Sequence, residues 1–598
     1  MKDKAASVGN ALRKSGGLFL GVGLFSGVIN VLALTGAVNM LQVYDRVIPS
    51  RSVPTLIGLS IIMLGLFAAN GILDLLRTRI MSRIGLRVDE VLRDKVFAAM
   101  QTVTLRARTE GDGVQSVRDL DRVRTFLSGV GPTALFDLPW IPVYLVLIFL
   151  LHPLMGWFSV AGALLLIGIT YMTELLSTGP TMKASKSGSV RSAMAGAAGR
   201  NAEVVRAMGF GGNVQKRWVK INNQHLGDQI QASDAVAGMG VISKTIRLLL
   251  QSGILGLGAY LVVKGEVSPG SIIAGSIVMS RALAPIETAI QHWRGFVEAR
   301  QAAVRLKALF QYASEDQRSV TELPDPVRSL VVENLSVAAP GQTKPAVNGV
   351  SFSLKAGEAL GIIGPSGSGK STLARALVGV WLPARAGGAV RLDGAALDQW
   401  SPGSLGRHVG YLPQDIQLFE GTVAENIARL DADAASEDIV AAAQDAGAHE
   451  LIVGLPNGYD TRLGDNGVGL SAGQRQRIAL ARALYGRPFF VVLDEPNSNL
   501  DSAGDNALSA AIRGIRERGG IVIVIAHRPS ALAHVDKVLA LASGQVQAIG
   551  PKEEVLRKVL SPVSAGGRQA QAGQAAAQQV VSPLRMISTA TDPRTEAN

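Results

Sequence analysis

Residues 360–371 read LGIIGPSGSGKS, and they decide the fold of the second half of the chain. An apolar run, Leu360, Gly361, Ile362 and Ile363, has the character of a buried strand. It leads into Gly364-Pro365-Ser366-Gly367-Ser368-Gly369-Lys370-Ser371, which fits G-x-x-x-x-G-K-[ST]. Thr372 and the helix-prone Leu373-Ala374-Arg375-Ala376-Leu377 follow. The glycines let the backbone fold round a phosphate, so that successive N–H groups and the helix N-terminus face the anion. Lys370 can reach the β- and γ-phosphates, and the Ser371 hydroxyl can ligate Mg²⁺. A plain Gly/Ser turn is the bland alternative. Strand, loop and helix in one frame favour a nucleoside triphosphate site.

Working outward, Phe489-Phe490-Val491-Val492-Leu493 is a second buried-strand run, ending in Asp494 and Glu495. Asp494 suits the Mg²⁺ of a P-loop enzyme, directly or through water. Glu495, one residue on, is placed to polarise a water attacking the γ-phosphate. Around these elements the pattern from Val331 to about residue 560 is strands alternating with helices, an α/β domain. The polar, Pro-containing stretch 311–330 reads as a linker.

The first half is different in kind. The chain has 598 residues, too many for one core. Hydrophobic residues make up 47% and charged ones only 18%, which is membrane-protein composition in part of the chain. With no cysteine, disulfides, Cys-ligated zinc and a cysteine nucleophile are excluded. Residues 1–16 are polar and basic. Apolar stretches long enough to span follow at 17–40, 53–76, 134–151, 155–175, 248–263 and 271–289. The first is too long for a signal-peptide core and lacks a small-residue cleavage site before Leu41. Basic residues crowd two connections, from Arg77 to Arg124 and from Lys183 to Arg247. The alternate connections carry only Arg46 and Arg51, then none, then Lys264. This asymmetry predicts six spans with the N-terminus, both long connections and the phosphate loop in the cytoplasm. The net charge of +12 follows loop topology, not one patch, which argues against a nucleic-acid partner. Asp137, Arg281 and Glu287 lie in or beside spans, and such charges face a bundle interior, a partner or a water path. Pro139, Pro142 and Pro285 are expected to kink their helices. Residues 561–598, rich in Ala, Gln, Gly and Ser, read as a disordered tail.

Between the phosphate loop and Asp494 sits Leu470-Ser471-Ala472-Gly473-Gln474, then Arg475-Gln476-Arg477. LSAGQ resembles the LSGGQ signature of ABC-type ATPases, with Ala472 for the usual Gly. Tyr411-Leu412-Pro413-Gln414-Asp415 resembles their Q-loop, Ser498-Asn499-Leu500-Asp501 their D-loop, and Ile525-Ala526-His527-Arg528 their switch-histidine strand. The resemblance implies that Gln414 senses Mg²⁺ and couples to the membrane half, that His527 contacts the γ-phosphate, and that Ser471, Gly473, Gln474 and Asp501 contact nucleotide. One departure is Ala339, which aligns where ABC exporters stack an aromatic on adenine.

A membrane half followed by an ATPase in one chain resembles an ABC exporter half-transporter. With one phosphate loop and one signature, a homodimer sandwiching two ATP is implied. QVYDRVIPS (42–50), FDLPWIPVYLVLIFLLHP (136–153), NAEVVRAMGF (201–210) and LDEPNSNLD (493–501) further resemble type I secretion transporters. The branch without a peptidase domain, exporting proteases, lipases and S-layer proteins, is the nearest. That likeness implies the inner membrane, a periplasmic membrane-fusion protein, an outer-membrane channel, and a secreted polypeptide with a C-terminal signal as substrate. A lipid or drug exporter would use the same machinery; a nucleotide-gated channel would have less need of Glu495.

Overall fold

Why the apolar runs become long helices follows from the bilayer: with no water to satisfy the backbone, each run must hydrogen-bond within itself. A computed structural model describes residues 8–106, 114–314, 323–342, 344–383, 387–464, 467, 469–526 and 529–560. Six helical stretches among them are long and apolar enough to span: Gly16–Ser50, Val53–Leu105, Thr133–Leu151, Pro153–Arg200, Gly211–Val263 and Pro269–Gln291. The first comprises α1 (Gly16–Leu32), α2 (Thr35–Gln42) and a π-helical turn, Val43–Val47, before a last short turn. The other five spans are built on α3 (Val53–Arg106), α5 (Ile141–Leu151), α6 (Pro153–Arg200), α8 (Gly211–Val263) and α9 (Pro269–Gln291), with α4 (Gln115–Ser128), α7 (Ala202–Ala207) and α10 (Trp293–Ser314) outside them. With 54 residues, α3 is about 80 Å long at 1.5 Å per residue, far more than a bilayer needs. Its charged second half, that of α6 and the charged part of α8 before residue 248 carry the basic connections. No residue between 53 and 76 is buried within the chain, so that apolar surface is left for lipid or another subunit.

Pro139 and Pro142 fall in a 3₁₀ turn, Leu138–Trp140, and in the first turn of α5. There a missing N–H costs nothing, so they start α5 instead of kinking it. Pro285 is interior to α9, as expected, and Pro180 interior to α6 is a second such position.

Two of the charges in or beside the spans, Asp137 and Glu287, are paired. Arg77 of α3 donates to both Asp137 oxygens at 3.0 and 3.1 Å and to Ser26 at 3.2 Å. Asn30 donates to Asp137 at 2.8 Å, and the Tyr144 hydroxyl donates to Asn30 at 2.8 Å. Four helical segments are thereby tied through one polar knot. Glu287 of α9 is held by Arg247 of α8 at 2.8 Å, a local pair between neighbouring helices. Asp137→Ala would leave Arg77 with Asp74, 2.8 Å away, as its carboxylate partner and remove the hydrogen bonds that Asp137 accepts, so it is expected to destabilise the folded protein by about 1–3 kcal/mol. Pairing it with Arg77→Met should recover most of that loss in a thermal-unfolding cycle. Near the opposite end of the same spans, Asp45 accepts from the Ser268 hydroxyl at 2.5 Å and the Gly270 N–H at 2.8 Å, capping α9 with a carboxylate.

Beyond α10, the connection expected at 311–330 keeps helix to Ser314, and strand begins at Ser329. Strands β1 (Ser329–Ala338), β2 (Pro345–Lys355), β4 (Ala389–Leu392) and β5 (Ala395–Ala396) form an antiparallel sheet in the order β2-β1-β4-β5, while β3 is Ala359–Ile363. The remaining strands are β6 (Val409–Leu412), β7 (Gly421–Thr422), β8 (Arg462–Leu463), β9 (Phe490–Asp494), β10 (Ile521–Ile525), β11 (Lys537–Ala542) and β12 (Gln545–Pro551). The larger sheet runs β12-β11-β3-β10-β9-β6, parallel except for the edge strand β12. Every residue of β9 and β10 is buried, the continuous apolar pattern of strands covered on both faces. The carboxyl ends of β3 and β9 therefore open side by side, flanking β10.

Candidate functional site: a nucleotide site at the sheet's carboxyl edge

Gly364 to Gly369 leave β3 and enter α11 (Lys370–Leu377). Gly369 sits at φ +100°, and a Cβ there would lie 2.6 Å from the Ala346 carbonyl. Only glycine allows that left-handed turn so close to another strand. Lys370 is 6% exposed, and its ammonium donates to the Gly364 and Pro365 carbonyls, each at 2.9 Å. The lysine thus folds back over its own loop, next to where phosphates would sit. Burial pushes its pKa down, opposed by Glu495 and Asp494.

Ser371 donates to the Gln414 side-chain oxygen at 3.4 Å, joining the helix start to the segment after β6. Asp494, at the end of β9, is 1% exposed, and neither carboxylate oxygen has a hydrogen-bond partner among the described residues. Burial raises its pKa; Glu495 adds to that, while the Ser371 hydroxyl, Arg375 and Lys370 oppose it. An orphaned buried carboxylate beside a hydroxyl and an amide oxygen is an all-oxygen donor set, which fits Mg²⁺. Asp494→Asn removes the charge that burial penalises. It is expected to raise the melting temperature of nucleotide-free protein while abolishing the effect of Mg²⁺ on ATP affinity, a pair of changes read by thermal shift and calorimetry.

Glu495 adopts φ +53°, a conformation that non-glycine residues visit rarely and that clusters at functional sites. Its N–H bonds the Ile525 carbonyl at 2.9 Å. What holds the strained turn comes from α12 (Ala472–Leu484): the buried amide of Gln476 donates to the Glu495 carbonyl at 3.4 Å and to that of Pro496, and accepts from Asn499 N–H at 3.1 Å. In the sequence Gln476 is one more polar residue on a basic helix; its offset of two from Gln474, onto the buried face, is the signal that sets it apart.

Ser371, Gln414, Asp494, Glu495 and Lys370 thus meet at one edge with the loop residues Pro365, Ser366, Gly367, Ser368 and Thr372. Ser471, Gly473, Gln474 and Asp501 form a second cluster. Ser471 caps α12 and shares a reciprocal box with Gln474, at 3.2 and 2.8 Å. A Cβ on Gly473 would lie 3.0 Å from the Asn499 carbonyl. Asp501 caps α13 (Ser502–Glu517) through Gly504 N–H at 2.8 Å and pairs with Arg477 at 3.0 Å. His527 lies outside the described residues.

The chain is similar to several known proteins. Residues 347–498 match the ABC transporter family model, and residues 19–283 that of the ABC transporter transmembrane region. The chain is 53% identical to the type I secretion system ATP-binding protein PrsD of Rhizobium meliloti, over 94% of this chain and 96% of that one. It is 30% identical to the cyclolysin secretion/processing ATP-binding protein CyaB of Bordetella pertussis, covering 89% of this chain and 75% of CyaB. In fold it is similar to a bacterial Atm1-family ABC exporter solved with ATP bound, at a TM-score of 0.77 and 23% identity over 91% of this chain and 96% of that one. Six spans fused to a nucleotide-binding α/β domain, with these likenesses, place the chain among the ABC transporters, in the family of type I secretion system ATP-binding proteins.

Proposed function

We propose that two copies of this chain clamp two ATP molecules between them, and that closing and opening this clamp drives an unfolded polypeptide with a C-terminal signal across the inner membrane. The likeness to PrsD over 94% of the chain carries the reading. In each composite site, Lys370 and the N–H groups of residues 364–371 hold the β- and γ-phosphates of one ATP. Ser471 and the N–H groups at the start of α12 from the other copy close over the γ-phosphate. Mg²⁺, held by Ser371, Gln414 and Asp494, would neutralise charge shared between the phosphates. Glu495 orients water for in-line attack, with Gln476 fixing its backbone. Because ATP bridges both copies, it favours the closed state only by its differential affinity, and hydrolysis withdraws it.

Transmission to the spans is assigned to the cytoplasmic connections. Val204 and Met208, around α7, are exposed apolar residues, at 48% and 73%. A cleft of about 300 Å³ beside Gln414, lined by Gln417, Phe419 and Arg429, is where such a connection could dock. A periplasmic membrane-fusion protein and an outer-membrane channel complete the route. Co-expression with those two partners tests this: a reporter bearing a C-terminal secretion segment should reach the medium, and only with all three proteins present. ATPase activity stimulated by lipid and indifferent to that segment would overturn it.

A further inference from the structure

In the cytoplasmic part of the helical half, α4, α6, α8 and α10 enclose a cleft of about 280 Å³ whose wall includes Arg118, Arg122, Arg191, His225 and Arg294. It shares Arg122 and Glu298 with a second hollow of about 410 Å³, reaching Gln291 at the end of α9. Ten residues further into the membrane, about 15 Å along the helix, Arg281 lies exposed on α9.

The carboxylates along this route are already taken. Glu298 lies 3.0 Å from Arg294, Asp121 2.7 Å from Arg124, and Glu287 2.8 Å from Arg247. Asp119 is shared by Arg122 at 3.1 Å and Arg305 at 2.7 Å. Among the described residues, Arg118, Arg191 and Arg281 have no carboxylate partner. Unspent guanidinium groups on one track repel each other and are matched by carboxylates, whose geometry their forks fit. The two hollows, which share Arg122 and Glu298, make an elongated track along the cytoplasmic bundle toward the end of α9. An extended chain, at about 3.3 Å per residue, fills such a shape better than a compact ion.

We propose that this track receives an acidic stretch of the exported polypeptide, with Arg118 and Arg191 in its wall as the groups that bind it. The proposal rests on the polypeptide-export reading. The test uses the full-length protein in lipid nanodiscs without nucleotide, and three fluorescent peptides of equal length: deca-aspartate, deca-lysine and an uncharged Ser/Gly peptide. Anisotropy should show deca-aspartate binding at least about tenfold tighter than the uncharged peptide. R118E/R191E should lose at least about tenfold of that affinity and gain affinity for deca-lysine, which a misfolded variant would not. R118Q/R191Q should lose the first without gaining the second. Equal binding of acidic and uncharged peptides by the wild type overturns the proposal and leaves polypeptide export standing. So does unchanged deca-aspartate binding in either variant, or its loss in R118E/R191E without any gain for deca-lysine. Failure of the secretion assay with all partners present would instead sink export itself.

Discussion

Glu495→Gln is expected to lower ATP turnover by about 10²–10⁴-fold, the range for removing a positioned general base, while ATP binding survives. The substitution keeps the side chain's size and its hydrogen-bonding reach, and removes only the ability to accept a proton from the attacking water. Its backbone conformation, φ +53°, is held by Ile525 and Gln476, and a glutamine asks nothing new of it. Since hydrolysis is what withdraws the bridge between copies, the variant should accumulate as a nucleotide-bound dimer. Turnover by phosphate release, together with mass by light scattering with ATP and Mg²⁺, reads both consequences. Normal turnover would remove Glu495 from its proposed role. A protein that stays monomeric under those conditions would remove the clamp. Gln476→Ala gives a graded companion: it spares the carboxylate but frees the turn, and should lower turnover with little change in ATP affinity.

The parts legible in the sequence were those whose physics is local. The phosphate loop declares itself because successive backbone N–H groups must converge within eight residues, which forces glycines at fixed spacing. The six spans declare themselves because a bilayer demands an uninterrupted apolar run, and the positive-inside bias orients them. What stayed hidden depends on distant partners. Asp137 was visible as a costly charge, but its neutralisation by Arg77 and its link through Asn30 to Tyr144 join residues 60 to 114 positions apart. Glu287 is equally visible as a costly charge, and its neutralisation by Arg247 joins two different helices. The helices outlast their apolar segments, so hydropathy located the spans but could not tell how far α3, α6 and α8 continue. Proline was over-read for the same reason: Pro139 and Pro142 mark where a helix begins, which only its start position reveals. Asp501 shows two kinds of information in one residue. Resemblance put it near nucleotide, and the structure adds that it caps α13 and anchors Arg477, so substituting it would disturb more than a ligand contact.

Lys370→Ala is expected to cost nucleotide binding about 10²–10³-fold, because it removes the cation placed for the β- and γ-phosphates and two hydrogen bonds within the loop. The second loss separates this site from a generic basic patch. The ammonium already donates to the Gly364 and Pro365 carbonyls at 2.9 Å, so the loop is shaped around the lysine before any ligand arrives. Burial disfavours its charged form, whereas Asp494 and Glu495 favour it. A triphosphate adds negative charge on the same side and offsets the burial cost, so ligand and lysine stabilise each other. Lys370→Arg keeps the charge but not the point-like ammonium, and its larger fork does not fit between two carbonyls of a tight loop, so it should restore little of the lost affinity. Titration of a fluorescent ATP analogue into the purified full-length chain measures both variants. Wild-type affinity in Lys370→Ala would mean that the backbone N–H groups alone hold the phosphates, and the proposed division of labour between loop and lysine would fall.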